Sequence, residues 1–150
     1  KEGYDKARES LTPLHIQGCM LYWAEGEKSK NRMGFVNSDS HMMKLFVNFL
    51  RECYYIDNQQ IIVLINCYIN DDETTKEEII DYWLKELNLP ISCLRKVSIN
   101  NKPKSSKTTR KNKLKYGVCT IRVNNTRLIQ NIYGAIKYYG NIEDEALWIF

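Results

Sequence analysis

One carboxylate lies at a point in this sequence where a charge is unexpected. Residues 13–26 are PLHIQGCMLYWAEG, an almost wholly apolar stretch that follows the helix-capping Thr12 and ends in a glycine. Glu25 falls in the last turn, where the negative end of the helix dipole disfavours an anion unless a cation compensates it. A divalent metal such as Mg²⁺ could supply that charge, because hard cations bind carboxylate oxygens. Alternatively, Glu25 reaches solvent or pairs with Lys28 or Lys30.

The second chemically distinctive feature is a segregation of charge. Between Leu87 and Ile142 the chain carries twelve Lys and Arg residues and no Asp or Glu, although its net charge is only +4. Nine of these cations lie between Arg95 and Lys115, among Asn, Ser and Thr. Such a segment attracts a polyanion, and nucleic acid is the first candidate because each phosphate contact releases condensed counterions. A basic loop that only keeps the protein in solution is the alternative.

Composition limits the class of protein. A length of 150 residues with 43% hydrophobic and 27% charged residues is typical of one globular domain with its own core. We expect residues 1–11 to form a linker or short helix from a possible missing N-terminal module, residues 12–140 a single α+β domain, and residues 141–150 a C-terminal tail. No apolar run reaches the roughly 20 residues of a membrane span, and the first residues do not resemble a signal peptide. Membrane association is therefore not expected.

The cysteines and histidines favour no metal or redox centre. The five cysteines form no C-x-x-C pair, and an odd number suits reduced thiols, so we expect a cytoplasmic protein. Binding to DNA would make it nucleoid-associated. The two histidines, His15 and His41, stand apart, and no zinc site is evident.

Hydrophobic periodicity predicts the elements that must position these groups. Helices are predicted over residues 13–25, after a cap at Ser38 or Asp39, over 76–87 behind two overlapping capping boxes at Thr74 and Thr75, and from a cap at Thr126 to Gly140. Strands are predicted over 32–37, 61–70, 93–100 and 116–124. The last two strands should form a long hairpin joined by the basic loop. This alternation favours an α+β sheet with its helices on one face.

Alternation along the strands assigns the two faces of the sheet. Toward the helices it places Val97, Ile99, Cys119, Ile121 and Val123; toward the open side it places Asn66, Tyr68, Asn70, Lys96, Ser98, Asn100, Tyr116, Thr120 and Arg122. A sheet that is polar, basic and aromatic on its open side suits docking on nucleic acid. The alternative is an ordinary solvated face of an antiparallel sheet.

The motif around the carboxylate resembles a known family. Residues 18–26, GCMLYWAEG, with the following strand and the Asn37-Ser38-Asp39 helix start, are similar to the LAGLIDADG homing endonucleases. Many members carry a motif variant that ends in aromatic-x-Ala-Glu-Gly. Residues 117–140 resemble the closing strand-then-helix unit of that family, and the similarity spans roughly residues 14–140. It implies a LAGLIDADG-like fold, a mixed or antiparallel curved sheet that forms a saddle over double-stranded DNA.

The resemblance also implies roles for particular residues. Glu25 would be the catalytic residue and the ligand of Mg²⁺ or another divalent cation, assisted by Lys96, Lys115 or Arg122. Because only one motif is present, a nuclease would act as a homodimer. The dimer interface would contain Gly18, Met20, Leu21 and Ala24. The nucleic-acid-binding set would be Asn66, Tyr68, Lys96, Ser98, Asn100, Lys102, Lys104, Lys107, Arg110, Lys111, Lys113, Lys115, Tyr116 and Arg122.

Three functions follow as hypotheses. The first is a homodimeric, Mg²⁺-dependent DNA endonuclease, and the second is a non-catalytic DNA-binding transcriptional regulator on the same scaffold. The third is an RNA-binding module in which Tyr68 and Tyr116 stack on unpaired bases beside the Lys-rich loop.

Overall fold

The computed structural model describes residues 1–10, 12–68, 74–100 and 115–143 as an α+β protein with a four-stranded mixed sheet. The helices are α1 Glu2–Ser10, α2 Pro13–Glu25, α3 Ser40–Tyr54, α4 Lys76–Leu87 and α5 Thr126–Tyr139. The strands are β1 Met33–Asn37, β2 Ile62–Tyr68, β3 Leu94–Asn100 and β4 Val118–Val123. Short 3-10 turns at Asn58–Gln60 and Ile91–Cys93 precede β2 and β3. The coarse prediction of α+β architecture is confirmed.

The strand order corrects one prediction. The order across the sheet is β1-β4-β2-β3, with β4 antiparallel to both β1 and β2 and with β3 parallel to β2. The predicted hairpin between residues 93–100 and 116–124 is therefore wrong, because β2 lies between those strands. A parallel pair requires a crossover connection, and α4 provides it between β2 and β3.

The helix starts follow local capping rules. Asp39 begins α3, and its carboxylate accepts hydrogen bonds from the backbone N–H groups of His41 (2.8 Å) and Met42 (3.3 Å). Asn125, rather than the predicted Thr126, caps α5 by accepting from the Leu128 N–H at 3.0 Å. Within the described ranges, no helix combines the length and the apolar character that crossing a bilayer requires.

The core lies between the helices and one face of the sheet. The predicted inward residues of β4, namely Cys119, Ile121 and Val123, are buried. Phe35 of β1, the cross-strand partner of Ile121, stacks on Phe46 of α3 with ring centroids 4.3 Å apart. Val97 and Ile99 lie level with Ile65 and Cys67 of β2 on the same face, but they stay partly exposed because β3 is an edge strand.

The N-terminal helix packs onto this body. In α1, Ala7 is buried, and Glu2 forms an ion pair of 2.8 Å with Arg127 of α5. A Cβ atom at Gly3 would lie 1.8 Å from the carbonyl oxygen of Asn131, so a glycine is needed for the two helices to approach this closely. Residues 2–10 are thus a helix in contact with α5.

Candidate nucleic-acid interface

The face of the sheet that turns away from the core is the open face. Register places Asn66 and Tyr68 of β2, Lys96, Ser98 and Asn100 of β3, and Thr120 and Arg122 of β4 on this face, as predicted. All of them are exposed or half-exposed, in contrast to the buried alternate residues of β2 and β4. The orientation of these seven side chains is therefore confirmed, whereas their role in binding stays a prediction.

Four aliphatic side chains share the open face, and the prediction of a polar surface missed them. They are Val36, Ile62, Leu64 and Val118, and Val36 is 42% exposed. Strict alternation in residues 61–70 already places Ile62 and Leu64 on the same face of the strand as Asn66. The open face is thus apolar near its centre and polar at its ends.

One end of the open face leads into the basic segment. β2 and β3 finish at this end and β4 begins there, because Asn66 lies opposite both Ser98 and Val118. The side-chain amide of Asn100 donates a hydrogen bond of 2.6 Å to the Asn66 Oδ1 atom, and Tyr68 beside them is 45% exposed. The predicted phosphate-binding residues Lys102, Lys104, Lys107, Arg110, Lys111 and Lys113, together with Asn70, lie outside the described residues.

Tyr116 does not belong to the open face, which corrects the prediction for this residue. Its ring stacks on Tyr82 of α4 with centroids 3.7 Å apart, and its carbonyl accepts a hydrogen bond of 2.8 Å from the Trp83 indole. Gly117 adopts a φ of 70°, which interrupts the strand alternation and turns Tyr116 toward the helices.

Glu25 ends α2 at the β1 edge of the sheet. Its side chain is exposed, and it has no hydrogen bond or ion pair to any residue that the structure describes. The predicted alternative of a pair with Lys28 is not formed, because the Lys28 amino group donates instead to the carbonyl oxygens of Tyr22 (3.2 Å) and Trp23 (2.8 Å). Lys28 therefore compensates the helix dipole directly and leaves the carboxylate unpaired.

Of the three basic residues predicted to assist Glu25, Arg122 lies on the strand nearest to the end of α2. The segment after α2 continues beside β1, where Gly26 bridges to Phe35, and β4 is the next strand. Lys96 lies on β3, three strand spacings or about 14 Å beyond β1. Lys115 precedes β4, at the end of that strand away from Arg122.

Across Gly34 from Arg122 lies a carboxylate, that of Glu27, which the sequence did not single out. The Glu27 N–H donates to the Gly34 carbonyl at 2.8 Å, and its Oε1 atom accepts from the Arg32 guanidinium at 2.7 and 3.2 Å. The second oxygen, Oε2, occupies the space above Gly34, where a Cβ atom would lie only 2.1 Å from it. A glycine inside a strand often marks such a close approach, and this was the one sequence signal available.

Arg122 is the direct cross-strand neighbour of Gly34 on its other side. Its Nε atom is buried and has no hydrogen-bond partner within the described part of the chain. A buried N–H group without a hydrogen-bond partner costs about 1–3 kcal/mol, and the Nε of Arg122 carries that cost in the fold.

The predicted dimer face of α2 is only partly free. A Cβ atom at Gly18 would lie 2.1 Å from the Phe49 ring, so Gly18 serves packing within the protomer and cannot contact a second copy. Met20 and Leu21 are half-exposed and Ala24 is exposed. Trp23, which is 41% exposed, extends this apolar surface.

A second group of reactive side chains is buried among α1, α2, α3 and α5. The His15 ring nitrogens lie 2.6 Å from the Tyr139 hydroxyl and 3.1 Å from the Tyr54 hydroxyl, and Cys19 Sγ is 3.9 Å from His15. Burial, and then the charge of Lys6, lowers the His15 pKa to about 4. Burial raises the pKa of Cys19, so this pair lacks the thiolate that cysteine nucleophiles need.

No described set of side chains forms a ready metal centre. Across the described ranges, no three His, Cys, Asp or Glu side chains come together in a way that could hold an ion. Comparisons with protein-family models, with curated proteins and with solved structures find no match for this chain.

Proposed function

We propose that this protein binds duplex DNA through the open face and the basic segment that continues from it. One observation carries the proposal: the sheet leaves a face uncovered by its helices, and the acid-free cationic segment is attached at one end of that face. Protein strands can enter the major groove, while cations around them neutralise phosphates. The proposal includes a homodimer through the free surface of α2, formed by Met20, Leu21, Trp23 and Ala24.

Glu25 fits a Mg²⁺ site that protein and nucleic acid share. Mg²⁺ usually binds one or two carboxylates and takes its other ligands from waters and phosphate oxygens. The exposed Glu25 could supply one carboxylate. Lys28 neutralises the negative end of the helix dipole through the Tyr22 and Trp23 carbonyl oxygens and leaves the Glu25 carboxylate free to bind a metal. When bound, such an ion would supply charge stabilisation and an activated water for phosphodiester hydrolysis. Endonuclease activity is therefore part of the proposal.

A non-catalytic DNA-binding regulator is the second candidate, and one observation favours it. The described residues of one protomer offer no cluster of metal ligands, so hydrolysis would depend on a second copy to complete the site. The RNA-binding hypothesis is weaker, because Tyr116 stacks on Tyr82 and leaves Tyr68 as the exposed predicted aromatic of the open face.

Binding is tested by fluorescence anisotropy with a random-sequence duplex in the presence of a chelator. Replacing Lys107, Arg110 and Lys111 with Gln should weaken binding and lower the slope of log K against log salt by up to about 3. The matched control replaces Lys44, Lys76 and Lys85, three exposed cations on helices α3 and α4, and should retain the parent slope. Equal losses in both variants, or stronger competition by single-stranded RNA than by duplex DNA, would contradict the proposal.

Cleavage is tested on supercoiled plasmid with Mg²⁺ or Mn²⁺. Glu25→Gln should abolish cutting and leave binding in chelator unchanged, while Glu52→Gln, an equal charge change on α3, should cut at the parent rate. Binding by the parent protein without cleavage at any metal concentration would identify the regulator instead.

A further inference from the structure

We propose that Glu27 and Arg122 form a donor–acceptor pair that reads a G·C base pair in the major groove. This inference rests on the proposed function and names the part of the DNA that one site recognises. Neither residue is a candidate metal ligand, and the pair lies on the open face, on either side of Gly34.

The geometry holds the acceptor in a fixed position. Glu27 is anchored by its backbone, whose N–H pairs with Gly34 and whose carbonyl accepts from the Tyr22 hydroxyl at 2.6 Å. Its Oε1 atom is engaged by Arg32, so the carboxylate cannot rotate freely. Oε2 lies in the space that the missing side chain of Gly34 leaves on the open face. One acceptor of a half-exposed carboxylate thus lies on the open face.

The donor stands in the same cross-strand row. Arg122 is level with Gly34 and half-exposed, and none of the ion pairs among the described residues involves it. Its Nε is enclosed, so the terminal nitrogens Nη1 and Nη2 are the donors that can reach a ligand. The row therefore contains a fixed acceptor and an unsatisfied donor, separated by one glycine.

This arrangement favours a base edge over a phosphate. A phosphate that approached Arg122 would also meet the Glu27 carboxylate, and the two anions would repel each other. A ligand that satisfies both side chains must present an acceptor and a donor together. In the major groove, guanine presents the O6 and N7 acceptors that match an arginine fork, and its partner cytosine presents the N4 amino donor that matches a carboxylate. An A·T pair offers no two adjacent acceptors, so it satisfies the arginine less well.

The test is selection from a random duplex library in chelator, followed by sequencing and affinity measurement on the selected site. The parent protein should show a G·C pair at one position, repeated in the second half-site of a dimer. Arg122→Lys keeps the positive charge but not the fork geometry, so it should lose roughly ten-fold or more of the preference for G·C at that position. Glu27→Gln should lower the preference for cytosine there and leave other positions unchanged.

Two controls match these changes in charge and residue type. Glu52→Gln and Arg8→Lys alter exposed residues on α3 and α1 and should retain the complete parent preference. Urea unfolding of every variant shows whether a loss of G·C preference reflects a loss of stability. If Glu27→Gln proves unstable, the charge-conserving Arg122→Lys variant still tests the inference.

The outcomes separate this inference from the proposed function. If the parent binds duplex DNA but the G·C preference survives both substitutions, or is absent from the start, the base-reading inference is overturned and DNA binding stands. If only stability changes in Glu27→Gln, the carboxylate serves to hold the turn after α2. If the parent binds no duplex DNA, the proposed function fails and this inference fails with it.

Discussion

His15 shows how burial determines the chemistry of a single residue. Its side chain is 1% exposed, and a neutral imidazole has one donor and one acceptor nitrogen, which the hydroxyls of Tyr54 and Tyr139 can satisfy together. Lys6 lies over the Tyr54 ring at 4.0 Å and donates to the Cys53 carbonyl. A second positive charge at His15 would therefore be both desolvated and repelled.

We expect stability to fall as His15 becomes protonated. The folded-state pKa of about 4 lies below the ordinary value of 6.5, so the unfolded chain binds the proton more tightly. The neutral histidine stabilises the fold fully above pH 6.5, and about 3 kcal/mol is lost as the pH falls toward 4. Urea unfolding between pH 7 and 4.5 should show a smaller decline in His15→Gln than in the parent.

His41 provides the control for this prediction. It is exposed at the start of α3, so His41→Gln should reproduce the pH dependence of the parent. An unchanged pH profile in His15→Gln would mean that other groups cause the loss of stability.

Gly18 is a residue whose importance lies in what it lacks. Gly18→Ala should destabilise the protein by about 2 kcal/mol, because the new methyl group would overlap the buried Phe49 ring. An alanine normally favours a helix over glycine, so the predicted sign is opposite to intrinsic propensity. Gln17→Ala, at the neighbouring exposed position, should change the unfolding free energy by less than about 0.5 kcal/mol. Thermal stability equal to the parent in Gly18→Ala would show that α2 and α3 can separate at low cost.

At the level of elements, β2 determines the form of the sheet. It pairs with β4 on one side and β3 on the other, and its inward residues Val63, Ile65 and Cys67 are buried. Because α4 connects β2 to β3, the basic segment connects β3 to β4 across an intervening strand rather than closing a hairpin.

This strand order predicts coupling between Asn66 and Asn100. Their side chains share a hydrogen bond of 2.6 Å across β2 and β3. A double-mutant cycle with Asn66→Ala and Asn100→Ala should give a coupling free energy of about 0.5 kcal/mol in urea unfolding. The control cycle combines Asn66→Ala with Asn48→Ala, at an exposed residue of α3, and its changes in unfolding free energy should be additive. Additivity of Asn66→Ala and Asn100→Ala would show that this side-chain hydrogen bond does not stabilise the sheet.

At the level of the molecule, α2 connects the core to a possible partner. One side of this helix holds the buried His15, Cys19 and Tyr22, and the other carries half-exposed or exposed apolar residues without a charge before Glu25. A second copy is the natural occupant of such a surface in the proposed function, because it would also bring two Glu25 carboxylates near one axis.

The dimer proposal predicts a change in molecular mass. Met20→Glu combined with Leu21→Glu should convert a dimer to a monomer in light scattering after size-exclusion chromatography, and should reduce affinity for a two-half-site duplex. The control is Ile91→Glu, at a 65% exposed apolar residue next to β3, which should leave the mass unchanged. A parent protein that is monomeric at all concentrations, with or without DNA, would contradict the proposal.

Local rules were sufficient to predict the helix starts and most of the polar residues of the open face. Thr12, Asp39 and Thr75 cap helices as predicted, because a cap depends on hydrogen bonds within three residues. Alternation also gave the correct face for seven of the nine residues predicted on the open face, because a side chain's face depends on its own strand alone. Tyr116 was wrong because Gly117 breaks the alternation, and Asn70 lies outside the described residues.

The sequence alone therefore determined the elements, the facing of most strand residues and the separation of charge along the chain. The tertiary structure decided which strands pair, that Gly18 packs against Phe49, that Tyr116 turns to α4, and that Glu27 and Arg122 lie on either side of Gly34. Strand pairing and such contacts depend on free energies summed over residues far apart in the chain, and no periodicity within one segment records them.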